Sequence, residues 1–189
     1  MPNNTRGRRI QVVGPSCAGK STLGALLAER LGVEFIELDA VFWKPGWVEP
    51  PAEEFAEKLK AHTGGEAWVV AGNYSRHTIP AYWDRLETVV WLDFPLRTTL
   101  PRILRRSWRR STQNELLWGT NYERFWPQLK VWSLDSLIGY TVRRGKKTRE
   151  RFLAAQADDA FAHIRWVRLT SPRKVEEWLR EIPGEVATV

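Results

Sequence analysis

The eight residues Gly14-Pro15-Ser16-Cys17-Ala18-Gly19-Lys20-Ser21 spell G-x-x-x-x-G-K-S, and no other feature constrains the chain as tightly. The pattern carries weight only between a strand and a helix. Both flanks comply. Ile10-Gln11-Val12-Val13 is a short apolar run, and Leu23, Leu26, Leu27 and Leu31 recur at helical spacing. Gly14 and Gly19 let the backbone curl until successive N–H groups face one concavity. That concavity opens at a helix N-terminus, whose dipole favours anions. In such a P-loop, residues 15–18 form the lining, Lys20 reaches the β- and γ-phosphates, the Ser21 hydroxyl holds Mg²⁺, and Thr22 can bond a further phosphate oxygen.

Size and charge narrow the setting. A length of 189 residues fits a single domain, 1–189, with inserts. No run of 18 apolar residues occurs, so no membrane partner is expected. The first nine residues are polar and basic and lack the apolar stretch of a secretory signal; they are expected to fray, as is the tail after Pro183-Gly184. Cys17 is the single cysteine, which precludes an internal disulfide and fits a reducing, cytoplasmic compartment. Its expected role is a small filler in the loop. The net charge of +7 suits polyanionic partners. Much of the basic charge falls in two clusters, one over Arg97, Arg102, Arg105, Arg106, Arg109 and Arg110, the other over residues 143–151. Eleven tryptophans should mostly line the core or a cleft, because each buries a large apolar area.

Continuous apolar runs at 10–13, 33–38, 67–71, 88–92 and 166–169 predict strands covered on both faces. Helical patterns fall between and after them, at 20–31, 51–62, 80–86, 96–110, within 133–159, and at 173–181. The alternation predicts a three-layer α/β domain with a parallel sheet. Two stretches exceed a simple crossover: residues 40–65, and the arginine-rich span 96–150, which is expected to form a helical flap.

Ligands of parallel sheets bind at the carboxyl ends of the strands. Asp39, Asn73 and Asp93 are expected there. Asp39 either touches an acceptor hydroxyl or a metal-bound water, or caps a helix. Gly72 permits close backbone approach, Asn73 belongs to the same turn, and Arg76 can fork onto a phosphate or carboxylate; an ordinary βα turn is the alternative. Asp93 orients a Mg²⁺-bound water or caps the next helix. The acid behind the metal is open between Asp39 and Asp93. Arg102, Arg106 and Arg109 share one helical face, as a flap closing over phosphates requires. The 143–151 cluster is either the flap's returning arm or a surface patch. Trp43 and Trp47 either stack on a base or sugar or pack the 40–65 insert. Basic clusters interleaved with tryptophans such as Trp108 also fit an ATP-binding, nucleic-acid-associated regulatory protein with weak ATPase activity. That reading ranks second because a lid accounts for the same arginines.

With these residues placed, the chain resembles the adenylate kinase-like P-loop kinases, and among them the small bacterial topology modulation proteins. The resemblance is carried by the P-loop, residues 38–47 from Leu38-Asp39 to Gly46-Trp47, Gly72-Asn73-Tyr74-Ser75, Trp91-Leu92-Asp93-Phe94-Pro95, Gly119-Thr120-Asn121-Tyr122-Glu123 and Arg168-Leu169-Thr170-Ser171-Pro172. It implies a five-stranded parallel sheet of order 2-3-1-4-5, ATP with Mg²⁺, and a lid after strand four. Lys20, Arg102 and Arg106 would act on the transferring group, and Ser171 and Pro172 would pack on adenine. Residues 40–65 would serve the acceptor. Gly72 to Arg76 stand where adenylate kinases have Asp-Gly-Phe-Pro-Arg, but the initial Asp is missing. Asp39 stands where the similar shikimate and gluconate kinases hold an acceptor-binding Asp, so nucleotide and non-nucleotide acceptors are both open.

Overall fold

The computed structural model describes residues 8–123, 125 and 137–182; of the nine N-terminal residues expected to fray, 1–7 lie outside them, as does the tail after Gly184, whereas Arg9 opens β1 paired with Trp68. Strands β1 (Arg9–Val13), β2 (Glu34–Glu37), β3 (Trp68–Ala71), β4 (Thr88–Leu92) and β7 (Arg165–Leu169) form one sheet in the order β2-β3-β1-β4-β7. Each paired neighbour is parallel. This is the expected 2-3-1-4-5 order. The labels β5 (Leu116–Leu117) and β6 (Asn121–Tyr122) belong to a separate antiparallel hairpin.

β3 and β4 are buried at every position, as strands covered on both faces must be. One face packs α1 (Lys20–Leu31) and α7 (Pro172–Arg180); the other packs α2 (Leu38–Phe42), α3 (Ala52–His62), α4 (Ser75–Tyr82) and α6 (Leu137–Gln156). Trp68, Trp83 and Trp91 are fully enclosed. Each removes apolar area worth about 4–6 kcal/mol, before entropy is charged against it. The expectation of buried tryptophans holds for these three, whereas Trp47 and Trp108 are exposed.

Three local expectations are corrected. β2 stops at Glu37, and Asp39 lies in the first turn of α2, not on a strand end. Leu38 and Phe42 are buried one helical turn apart, so the apolar run folds as a helix once it leaves the sheet. α4 begins at Ser75 rather than Pro80, and Pro80 sits inside it; burial of Thr78 and Tyr82 holds the turn despite the N–H that proline lacks. Finally, the span 96–150 is not wholly helical. After α5 (Leu96–Thr112) the chain makes the β5–β6 hairpin, with Trp118 at φ 49° and Gly119 at φ 76° turning it.

Candidate active site

The P-loop joins β1 to α1 and is held from behind. Gly14 has φ 147°, and a Cβ there would come within 2.6 Å of the Leu92 carbonyl oxygen. Only glycine lets the loop turn this close to β4. Gly72 repeats the device on β3, where a Cβ would meet the Leu38 Cβ at 2.7 Å. Asn73 ties the two turns together. Its Oδ1 accepts from Gly14 N at 3.0 Å and its Nδ2 donates to Gly14 O at 2.9 Å. Both ends of its amide are therefore engaged by the P-loop backbone. Gln11, fully buried on β1, donates to Gly72 O at 2.9 Å and accepts from Trp83 Nε1 at 2.8 Å.

Ala18 N–H closes a tight turn on Pro15 O, and Cys17 takes φ 58°. α1 starts at Gly19 without a side-chain cap. Its first amides are thus left for an anion. Lys20 Nζ donates to Pro15 O at 3.1 Å, folded against the loop it would leave for a phosphate. Burial lowers the Lys20 ammonium below its ordinary value and Arg106 adds to this, while the Asp39 carboxylate works against it. Burial likewise pushes the Cys17 thiol up, with Arg106 and Lys20 pulling the other way. Ser16 is half-buried and Thr22 exposed at the head of α1.

Two carboxylates stand at the carboxyl end of β2, Glu37 as its last residue and Asp39 just beyond it. Glu37 Oε1 accepts from the Ser21 hydroxyl at 2.6 Å, and Asp39 Oδ1 accepts from the Tyr74 hydroxyl at 2.7 Å. Both charges reach Lys20. The pairing of Ser21 with Glu37 escaped sequence reasoning, although Glu37-Leu38-Asp39 was a legible signal of two acids leaving one strand. Among the described residues no three His, Cys, Asp or Glu side chains gather to hold a metal alone. Hydroxyl and carboxylate oxygens nevertheless suit Mg²⁺, which is held by few protein oxygens when phosphates supply the rest. The site fits ATP·Mg²⁺ on its uncapped amides, its ammonium and this oxygen pair.

The remaining candidates divide. Arg106 is half-buried and its charge is felt at both Lys20 and Cys17; Arg102 is exposed, 5.9 Å over the Phe94 ring. Asp93 is held between Arg149 Nε at 3.1 Å and Arg168 Nε at 2.9 Å, and Arg168 covers Trp91 at 4.7 Å. Arg151 donates to Ser75 Oγ at the start of α4 at 3.0 Å, so part of the second basic cluster returns beside the carboxyl ends of the strands; the side chains of Arg143 and Arg144 lie outside those described. Trp43 packs edge-on to Phe42 and Trp47. Arg76 is exposed on α4, where it lines a groove with Glu53, Ala56 and Lys60 of α3. Ser171 accepts from Lys174 N and, with Pro172 behind it, starts α7.

Comparison with known proteins bears on this geometry. Residues 16–60 match the shikimate kinase family model. The uncharacterised protein YqaC of Bacillus subtilis (strain 168) is 29% identical over 142 residues, covering 72% of this chain and 77% of that protein. A shikimate kinase of Synechococcus sp. (strain RCC307) is 34% identical over 110 residues, covering 49% of this chain; the chain spans only 56% of that kinase. The crystal structure of shikimate kinase from Aquifex aeolicus superposes with a TM-score of 0.50 at 19% identity, over 92% of this chain and 94% of that one. The likeness to that structure shows the fold, and the family-model match takes in Ser16 to Ser21 of the P-loop.

Proposed function

We propose that the chain is an ATP-dependent phosphotransferase of the nucleoside monophosphate kinase-like type, passing the γ-phosphoryl group to a small acceptor, a nucleotide or another hydroxyl compound. The observation that carries this is the convergence of Lys20, Arg106, the Ser21–Glu37 pair and the Asp39–Tyr74 pair around one uncapped helix start. Phosphoryl transfer asks a protein mainly for positioning and positive charge. The P-loop amides and Lys20 bind the phosphates, and Arg106 adds charge where it develops. Ser21 and Glu37 would hold Mg²⁺, whose bound charge neutralises the phosphate oxygens. Asp39 accepts the acceptor's O–H; as the new O–P bond forms and the bond to the β–γ bridging oxygen breaks, that proton passes to Asp39 and ADP leaves. Tyr74 holds the carboxylate in place. Trp43 and Arg76 are the candidates for the acceptor's outer contacts. The Gly72-Asn73-Tyr74-Ser75 and Gly119-to-Glu123 segments support the topology modulation group within the adenylate kinase-like kinases.

ADP release from ATP·Mg²⁺ is measured with nucleoside monophosphates, nucleosides, shikimate, gluconate and no acceptor. One acceptor class stimulates release, and Lys20→Ala lowers it by about 10³-fold. Undiminished turnover in a folded Lys20→Ala variant would sink the assignment.

A further inference from the structure

The β5–β6 hairpin and the residue after it make two sets of contacts at once. Towards the acceptor-side insert stands Asn121, 1% exposed. Its Oδ1 accepts from Trp47 N at 2.8 Å, and its Nδ2 donates to Lys44 O at 3.2 Å. Beside it, Trp47 Nε1 donates to Tyr122 O at 2.9 Å, and the Trp47 ring meets Trp118 edge-on at 5.7 Å. Towards α5 stands Glu123, which accepts from the Ser107 hydroxyl and pairs with Arg110 at 3.0 Å. Arg106 lies one turn before Arg110, and its Nε is buried without a hydrogen-bond partner among the described residues. The charges of Arg106, Arg110 and Glu123 all reach Cys17 in the P-loop.

We infer that Asn121 is a positioning residue that ties the acceptor-side segment to the arginines of α5, so that the two halves of the site keep one alignment. Both of its bonds across to the insert go to backbone atoms. They therefore fix the path of residues 44–47 whatever the side chains there do. If the insert moved away, Nδ2 would keep its bond to Thr120 Oγ1 at 3.0 Å but the buried Oδ1 would be left unsatisfied, so displacement of the insert is opposed by the hairpin, and displacement of the hairpin moves Glu123 and with it Arg110. The inference rests on the kinase reading only for what the arginines hold.

Cys17, the chain's single thiol, reports the tie without any turnover. Its rate of reaction with a disulfide reagent is measured in the wild-type chain, in Asn121→Ala and in Trp47→Phe, with Cys17→Ser as the blank and circular dichroism as the check on folding. Asn121→Ala is expected to lower the rate about fivefold, because the Arg106 and Arg110 charges that favour the thiolate are no longer held near it. Trp47→Phe, which loses one hydrogen bond and keeps a ring, gives a smaller fall and serves if the first variant does not fold. Rates within twofold of wild type in a folded variant would overturn the tie. MgADP is then added. It protects Cys17 in the wild-type chain, and at least fivefold more of it is needed in Asn121→Ala because the arginines are no longer held. Equal requirements in the two overturn the link to the arginines. Absence of protection in both counts against the nucleotide site instead, while the rate comparison still decides the tie.

Discussion

The carboxyl ends of β2 and β4 carry the same kind of residue and put it to different use. At the end of β2, Glu37 and Asp39 are partnered by neutral hydroxyls, those of Ser21 and Tyr74. After β4, Asp93 lies between two guanidinium groups. A carboxylate held by a hydroxyl keeps its charge for a cation or a proton, whereas one held by arginine is already neutralised. Position at the sheet edge nominates an acid; the charge of its partner decides what the acid can do. The β2 end reads as chemistry, and the β4 end as a clamp between the sheet and the returning helix α6.

The largest expected effects sharpen that contrast. Asp39→Asn keeps the shape but cannot take a proton, and transfer should fall about 10²- to 10⁴-fold, the usual weight of a general base. Glu37→Gln should raise the Mg²⁺ concentration needed for half-maximal rate. Steady-state kinetics across Mg²⁺ concentrations read both. The contrast breaks if Asp93→Asn costs as much turnover as either.

Arginines on α5 offer the same comparison one step smaller. Arg106→Ala should lower turnover about 10²-fold if the proposed transfer takes place at the P-loop, since it removes charge that reaches Lys20. Arg102→Ala, exposed above Phe94, should cost at least tenfold less. Equal losses would mean that the exposed arginine swings inward on binding.

At the β4 end the readout is stability. Asp93→Asn leaves Arg149 and Arg168 facing a neutral amide. Loss of one partner of a buried pair costs about 3–5 kcal/mol. Here Arg149 is 52% exposed and Arg168 34%, and solvent screening reduces this to about 1–2 kcal/mol. The corresponding drop in Tm is about 2–8 °C for a chain of this size. A calorimetric scan with no shift would show that the clamp contributes nothing.

The nucleotide half of the site was legible because its signals are local: eight consecutive residues set the loop, and the apolar runs on either side set β1 and α1. The β4–Asp93 boundary was equally local. The β2 end was legible only in part. Leu38 continues the apolar run of the strand, but its burial against Gly72 places it on a helix, which moves Asp39 and leaves Glu37 as the last strand residue. Asn73 was found, yet its partner Gly14 lies 59 positions away, and nothing in Gly-Asn-Tyr-Ser states that its amide faces backward. Asn121 bonds to the chain 74 positions earlier. No periodicity encodes such a contact, so the tie between insert and hairpin emerges only from the tertiary fold.

The smallest effect concerns the loop itself. Burial holds the Cys17 thiol above its ordinary value, so the folded chain keeps this proton at a pH where the unfolded chain has lost it. The sign follows from linkage. Below about pH 8.5, where a free thiol is protonated, the contribution is fully present; as pH rises through the folded value it is lost. Denaturant midpoints measured from pH 7 to 10 should therefore fall more steeply in the wild-type chain than in Cys17→Ser, which has no proton to lose in that range. Parallel curves would show that the thiol is exchanging freely with solvent.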